Sequence, residues 1–383
     1  LALARAGLSA AVVDPLAPAT RADPGFDGRA YAVALGTARL LGALGLWPEL
    51  EPKAEAIRDI VVGEGAGSPE TLHFDPRATA EGRVGWILED RHLRGALLAA
   101  LPGAGVAHLA PARTHAIADV PGGMALTLED GRRLWAKLLV GADGRRSMVA
   151  RATGIGRLSW RYRQTGLVAA IEHERPHEGV AHQAFFPGGP FAVLPLPGNR
   201  SSIVWSETQR RAEALMALDD RAYEAQLAVR IGPRLGAVRL AGERRAFPLG
   251  LQLAERYVAP RRALVGDAAH GVHPIAGQGM NMGVRDVAAL TEVLAEACRR
   301  GEDIGAADVL GRYERWRRFD AAGFALGMDA LNRLFSNEVP GLGPLRRLGL
   351  AVVDAAPPAK RALMREAAGT AGDVPKLMRG RAP

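Results

Sequence analysis

The sequence predicts an α/β fold in which a Rossmann-like domain is interleaved with an inserted antiparallel sheet. Three observations predict it. Leu8 to Val13 reads as a short buried strand ending at Asp14, after a helical turn closed by Gly7. Leu264 and Val265 end a second buried strand at Gly266-Asp267, and a helical pattern follows a glycine-rich turn. Between these, from Gln164 to Glu207, strand follows strand, punctuated by Pro176-His177, Gly188-Gly189-Pro190 and Pro197-Gly198-Asn199.

The stretch Leu264 to Leu290, LVGDAAHGVHPIAGQGMNMGVRDVAAL, carries the most chemistry. Asp267 stands at a strand's carboxyl end, and Ala268 and Ala269 leave room beside it. His270 to Gly279 holds Pro274 and the glycines Gly271, Gly277 and Gly279, so its backbone turns sharply. From Met280 onward, Met280, Val284, Val287, Leu290, Leu294 and Ala297 recur at three- and four-residue steps, which predicts a helix. Its first N–H groups and positive dipole end point at whatever lies beside Asp267. The site has two poles: a carboxylate for hydroxyls and a helix start for an anion. A flavin needs both, for its ribityl chain and for the reduced ring near N1 and O2. A turn before an ordinary helix is the competing structural reading.

At 383 residues the chain can build two domains with cores of their own, and 48% hydrophobic with 23% charged residues is ordinary for a globular protein. The single Cys298 excludes an internal disulfide and a cysteine metal cluster. No run of about 18 apolar residues is present. His173, His177 and His182 fit no helical ligand pair, so no metal site is expected. The net charge of +8 is uneven: residues 331–383 hold nine Lys/Arg against four Asp/Glu, a balance of +5, and the first 330 hold 40 against 37. With neither zinc spacing nor an aromatic platform, nucleic acid is not expected as a partner.

Taken in order, Leu1 enters a βαβ unit in its helix, so the first strand and a G-x-G-x-x-G loop are expected upstream. Asp14 is placed to bind a ribose hydroxyl. Asp27-Gly28-Arg29-Ala30 precedes the strand Tyr31 to Leu35 and the helix Thr37 to Leu44. Ile57 to Gly63 and Leu72 to Phe74 read as strands, and Leu88 to Leu101 as a helix with Arg91 near its start. Strands around Asp130-Gly131 lead to Gly141-Ala142-Asp143-Gly144-Arg145-Arg146-Ser147. After the strand-rich insert come a helical stretch (Ala212 to Ala228) and the anchor motif. Arg312 to Phe319, Gly323 to Phe335 and Leu345 to Ala355 read as helices. The expected parts of the large domain are 1–70, 84–157 and 256–330; 71–83 and 158–255 form the insert and 331–383 a helical tail.

The continuation HPIAGQGMNMGVRDVAAL resembles the second FAD fingerprint of the class A flavoprotein aromatic hydroxylases, the p-hydroxybenzoate hydroxylase fold group. Within them it is most similar to the ubiquinone-biosynthesis hydroxylases. D-G-R-A before L-G-L-W, the Asp143-Gly144 motif, G-P-F-A-V-L-P-L and R-A-L-M-R-E-A-A-G-T extend the resemblance over essentially the whole chain. Two departures stand out. Asp90 stands where the family leads us to expect asparagine, and Ala150 where an arginine is usual, with Arg151 one place later.

The resemblance implies that Asp14, Arg29, Arg91, Asp143, Gly144, Gly266, Asp267, Pro274, Gly277, Gly279, Met280 and Asn281 bind FAD. Pro274, Gly279, Met280 and Asn281 would form the flavin-ring environment. His270 is a candidate base only through its imidazole, and no general base is assigned. Phe186, Gly189, Pro190 and Phe191 are expected to line an apolar substrate pocket. The implied activity is hydroxylation of a polyprenylphenol intermediate of ubiquinone biosynthesis, through a C4a-hydroperoxyflavin, with NAD(P)H as electron donor and O2 as co-substrate. The expected setting is cytoplasmic, with peripheral contact to the inner membrane face or a biosynthetic complex, made by the leucines and basic residues after Leu331. Competing readings are a halogenase or prenyl reductase of the same fold, or a non-catalytic lipid-carrying scaffold subunit. The Trp-x-Trp-x-Ile segment of the halogenases is not found.

Overall fold

The computed structural model describes residues 1–65, 72–76, 82–273, 277–336, 349 and 351–383. Two pieces of parallel sheet carry the expected βαβ character. Strand β1 (Ala11–Val13) is followed by β2 (Ala30–Ala34), helix α1 (Leu35–Ala43), β3 (Asp59–Glu64), β4 (Gly85–Glu89), helix α2 (Asp90–Gly103) and β5 (Ala107–Leu109). β5 pairs with β1 in parallel, Ala11 opposite Ala107. Strand β6 (Leu139–Gly141) pairs in parallel with a strand at Arg262–Leu264, Gly141 opposite Leu264. β2 pairs with β4 in antiparallel fashion.

The insert is built on β7 (Arg157–His173), β8 (Val180–Phe186), β9 (Gly189–Leu196) and β10 (Arg200–Thr208). The helical stretch after them is two helices, α3 (Gln209–Met216) and α4 (Asp220–Ile231). The break falls at Asp219, whose carboxylate accepts the N–H of Ala222 at 2.8 Å as an N-cap. Strand β11 (Arg245–Ala254) then returns along β7 and leads into β12 (Arg262–Leu264).

The nine-stranded insert sheet recruits more than the expected segments. β3, inside the expected 1–70 part, pairs in parallel with β8, Val62 opposite Gln183. At the other edge, His270–Gly271 of the anchor motif pairs with Gln252 and Leu253 of β11. The two domains therefore share strands, and the anchor motif is itself an edge of the insert sheet.

The last third is helical: α5 (Gly279–Arg299), α6 (Ala307–Phe335) and α7 (Pro357–Ala367). The two expected helices of 312–335 are one, because Gly323 costs too little to break a helix anchored by buried residues before and after it, Ala321 and Ala325 among them. α5 is wedged between two cores. Ala289, Leu290, Val293 and Leu294 pack with β12 and α6, whereas Ala288, Met280 and Val284 pack with α1 and the C-terminal segment. Val287, expected on the buried stripe, is exposed. Of the expected tail helix, 345–348 and 350 lie outside the described residues, as do Leu342 and the basic pair at 346 and 347. The part that is described does not stand off as an appendage. Met364, Ala368, Val374, Leu377 and Met378 are buried against α1 and β4.

Candidate active site

The turn after β12 sets the geometry. Gly266 has φ +59°, and its Cα lies 3.1 Å from where a Cβ on Gly283 would stand, so turn and helix meet backbone to backbone. Asp286, fully buried on α5, fastens the same junction. Its Oδ2 accepts the Gly266 N–H at 3.0 Å and faces His270 Nε2 at 2.5 Å, and its Oδ1 accepts Arg317 Nε at 2.8 Å. Burial alone would raise the Asp286 carboxyl, but His270 and Arg317 hold it below the usual carboxylate value. His270 is thereby tied to a carboxylate rather than aimed at a ligand. Neither Asp286 nor Arg317 was singled out from the sequence; an acid seven residues into a helix reads as a surface charge until its partners are seen.

Asp267, the neighbouring residue, is turned the other way. Its side chain is half exposed, with Arg145 Nε 3.5 Å from Oδ2. Arg145 also donates to the carbonyls of Val272 at 3.0 Å and Gly250 at 3.3 Å, joining the 143–147 loop to the anchor motif. Asp143 caps the helix Met148–Ala152 through the N–H groups of Met148 and Val149, at 2.6 and 3.3 Å. Gly144 supplies the positive φ that this loop needs.

At the start of α5, no side chain among the described residues caps the helix at Gln278, and the first-turn N–H groups of Gly279, Met280 and Asn281 precede any carbonyl of the helix itself. Gly277 has φ +62°, and a Cβ there would stand 3.0 Å from Ala32 Cβ; glycine is required on both counts. Asn281 staples the helix start to β2. Its Oδ1 accepts from Ala34 N at 3.0 Å and Thr37 Oγ1 at 2.8 Å, and its Nδ2 donates to Ala32 O at 2.8 Å. The side chain is thus spent on the fold, and what Asn281 offers a ligand is backbone. Pro274 lies outside the described residues.

Upstream of β2 a chain of charges forms the far rim. Asp14 accepts from Arg21 Nε at 2.9 Å, and the Arg21 carbonyl accepts Arg94 Nη1 at 2.6 Å. Arg94 pairs with the buried Asp90 at 2.7 Å, and Asp90 with Arg29 at 2.9 Å. The departure at position 90 is therefore charge-balanced. Arg91 pairs with the buried Glu89 at 2.6 Å, and its guanidinium lies 5.4 Å from the centre of the Phe26 ring. Arg200 reaches the same carboxylate and the same ring, at 2.7 and 4.7 Å, a contact that no local pattern announces.

The expected substrate lining needs correction. Phe191 belongs to the core under α3 and α4, and Phe186 packs against that core with Arg230 4.1 Å from its ring centre. Successive strand residues face opposite sides, so the other face carries Pro190, Ala192 and Phe185 together with Val168 and Val204, which pair across β7 and β10. That face turns toward β2, where Leu194 packs with Ala30 and Ala32. Gly189 stays at the turn, where a Cβ would meet Ser206 at 2.7 Å. His273, not noticed in the sequence, is 1% exposed, and neither ring nitrogen has a hydrogen-bond partner among the described residues. Its ring centre lies 5.3 Å from that of Tyr162, and burial, with Arg145 nearby, lowers its pKa to about 4.

The chain is similar to known proteins. The family profile described as "FAD binding domain" matches residues 1–323. Ubiquinone hydroxylase UbiL of Rhodospirillum rubrum is 47% identical over 99% of this chain and 89% of its own length. The 3-demethoxyubiquinol 3-hydroxylase of Escherichia coli is 35% identical over 96% of this chain and 94% of its own. The crystal structure of p-nitrophenol 4-monooxygenase PnpA from Pseudomonas putida superposes with a TM-score of 0.81 over 97% of this chain and 95% of its own, at 19% identity, and so shares the fold.

Proposed function

The chain belongs to the FAD binding domain family, and on that premise we propose that it is an FAD-dependent monooxygenase that hydroxylates the ring of a lipophilic phenol. The substrate class follows the relatives, which are named for ubiquinone and demethoxyubiquinol hydroxylation. O2 is the co-substrate and NAD(P)H the electron donor.

The observation that carries the reading is the locked junction of the Gly266-Asp267 turn with the start of α5. Asp267 is held outward as an acceptor, and the uncapped first turn beside it supplies N–H donors and a positive dipole end. These residues fit FAD, with a carboxylate for ribityl hydroxyls and a helix start for the negative edge of a reduced ring. FAD, when bound, supplies the activation of O2 and the transfer of one oxygen atom.

The chain's part is to hold, orient and exclude water. Asp286 and Arg317 fix the turn so that Asp267 needs no reorganisation on binding. Asp14 and Arg29 serve the adenosine and phosphate side of the cofactor, and Arg91 reaches toward the flavin. The sheet face of Val168, Ala192, Val204 and Pro190 forms an apolar roof that keeps water from the ring and receives the phenol. His273, held neutral, is placed to accept a hydrogen bond rather than to carry charge. The test is a product analysis with purified full-length protein, NADH or NADPH and a short-tailed prenylphenol under ¹⁸O2. One labelled oxygen on the ring is expected. Flavin-loaded protein that oxidises neither nucleotide and hydroxylates no phenol would defeat the proposal.

A further inference from the structure

Helix α6 buries one side through Leu310, Tyr313, Arg317, Ala321 and Ala325, at helical spacing. By the same period its outward side should be polar. Instead Phe319 is 89% exposed, Leu326 47%, Leu334 43% and Leu331 37%. Between them stand Ala322, Gly323, Gly327 and Ala330. From Arg315 to Arg333 this apolar stripe runs about 27 Å at roughly 1.5 Å per residue. The exposed charged side chains along it are Arg315, Arg318 and Arg333.

The nearby acids are engaged elsewhere. Glu314 accepts the Tyr257 N–H at 2.7 Å, Asp320 pairs with Arg317, and the buried Asp329 accepts Trp160 Nε1 and Arg333 Nε, each at 2.9 Å. Arg315 and Arg318 make no ion pair among the described residues. With Glu314, Phe319 and Ala322 they line an open depression of about 480 Å³.

A second copy of the chain that buried this stripe against its own counterpart would cross it about a two-fold axis. That would set Arg315 of one copy near Arg333 of the other, bringing cations together along the seam while Asp329 stays buried. An anionic bilayer surface satisfies both chemistries at once, taking the apolar side chains at the acyl boundary and the arginines at the phosphates. At the far end of the stripe, Asn332, Arg333 and Ser336 line a cavity of about 220 Å³ shared with Tyr162, Gln164 and Gly188.

We infer that the outward face of α6, from Arg315 to Leu334, docks on anionic phospholipid and brings the cavity at Asn332–Ser336 to the lipid surface. The docking stands on the surface itself; only its purpose, delivery of a phenol with an apolar tail, rests on the proposed function.

The experiment is co-sedimentation of full-length, flavin-loaded protein with vesicles of phosphatidylcholine alone or mixed with phosphatidylglycerol. The wild type should bind the mixed vesicles at least tenfold better and lose binding as salt rises. The pair Phe319→Asp with Leu326→Asp should weaken binding at least tenfold. Arg315→Ala with Arg318→Ala should remove most of the preference for phosphatidylglycerol. Melting temperature should be unchanged in the arginine pair, whose side chains are exposed, so a folding defect in the first pair leaves the test intact. Wild-type binding by both pairs, or no binding by the wild type, overturns the inference. So does release by inorganic phosphate at matched ionic strength, which assigns the depression to a soluble anion. A wild-type dimer that Phe319→Asp with Leu326→Asp converts to monomer also overturns it. Turnover of a water-soluble phenol should be the same in all variants, and loss of it in the wild type would fail the proposed function without touching the docking result.

Discussion

His273 illustrates what a single residue can cost and reveal. Two ring nitrogens without partners among the described residues are an expense in a folded core, and burial keeps the ring neutral with a pKa of about 4. Arg145 disfavours its protonation and Asp329 favours it, and burial outweighs both. The unfolded chain takes up a proton below about pH 6.5 and the folded one does not, so this residue's contribution falls as pH drops from 6.5 toward 4. The loss is on the order of 3 kcal/mol at the acid end. His273→Asn should therefore flatten stability over that window in urea unfolding followed at several pH values. His182, also lowered to about 4, is present in both proteins and cancels from the comparison. An acid limb identical to wild type would show that His273 titrates normally. Asp286 makes the complementary case. Asp286→Ala leaves the buried Arg317 with Asp320 alone, takes the carboxylate from His270 and releases the Gly266 N–H, and should cost about 3 kcal/mol. An effect under about 1 kcal/mol in the same measurement would mean that the junction does not depend on the pair.

At the scale of elements, the helix that begins at Gly279 and the strand that ends before Gly266 were legible in the sequence, because glycine spacing and a 3.6-residue period are local signals. What joins them was not legible. Asp286 meets Arg317 across 31 positions, and Asn281 meets Ala34 across 247. Asn281→Ala should break the staple between α5 and β2 and cost about 1–3 kcal/mol. It should also weaken flavin binding, measured by fluorescence titration, whereas an unchanged affinity would show that β2 does not hold the helix start in register. The faces of β8 and β9 are hard to read from sequence for a related reason. Both sides of these strands are covered, by α3 and α4 on one and by β2 on the other, so polar alternation is blurred and Phe186 and Phe191 looked available. The pairing of β3 with β8 was not legible either, because the two strands lie more than a hundred residues apart.

For the whole molecule, charge and leucine content suggested a basic helical tail, and the part described packs on the large domain. The end of the chain returns to the core through Met364, Val374, Leu377 and Met378, with Arg285 donating to the Ala371 carbonyl at 2.9 Å. Protein cut after Ala356 should melt far below the full chain or fail to stay in solution, since each lost core side chain is worth about 2–5 kcal/mol; equal melting temperatures would restore the tail as an appendage. The same packing holds α5 between two cores, so the geometry of the Gly266-Asp267 turn is a property of the whole fold. The central claim is that this turn, through Asp267, holds the flavin. Its most direct test is the flavin-to-protein ratio of purified full-length Asp267→Ala beside the wild type, with circular dichroism as the control for folding. The account predicts a folded, colourless variant and a yellow wild type; a folded variant with wild-type flavin content would contradict it.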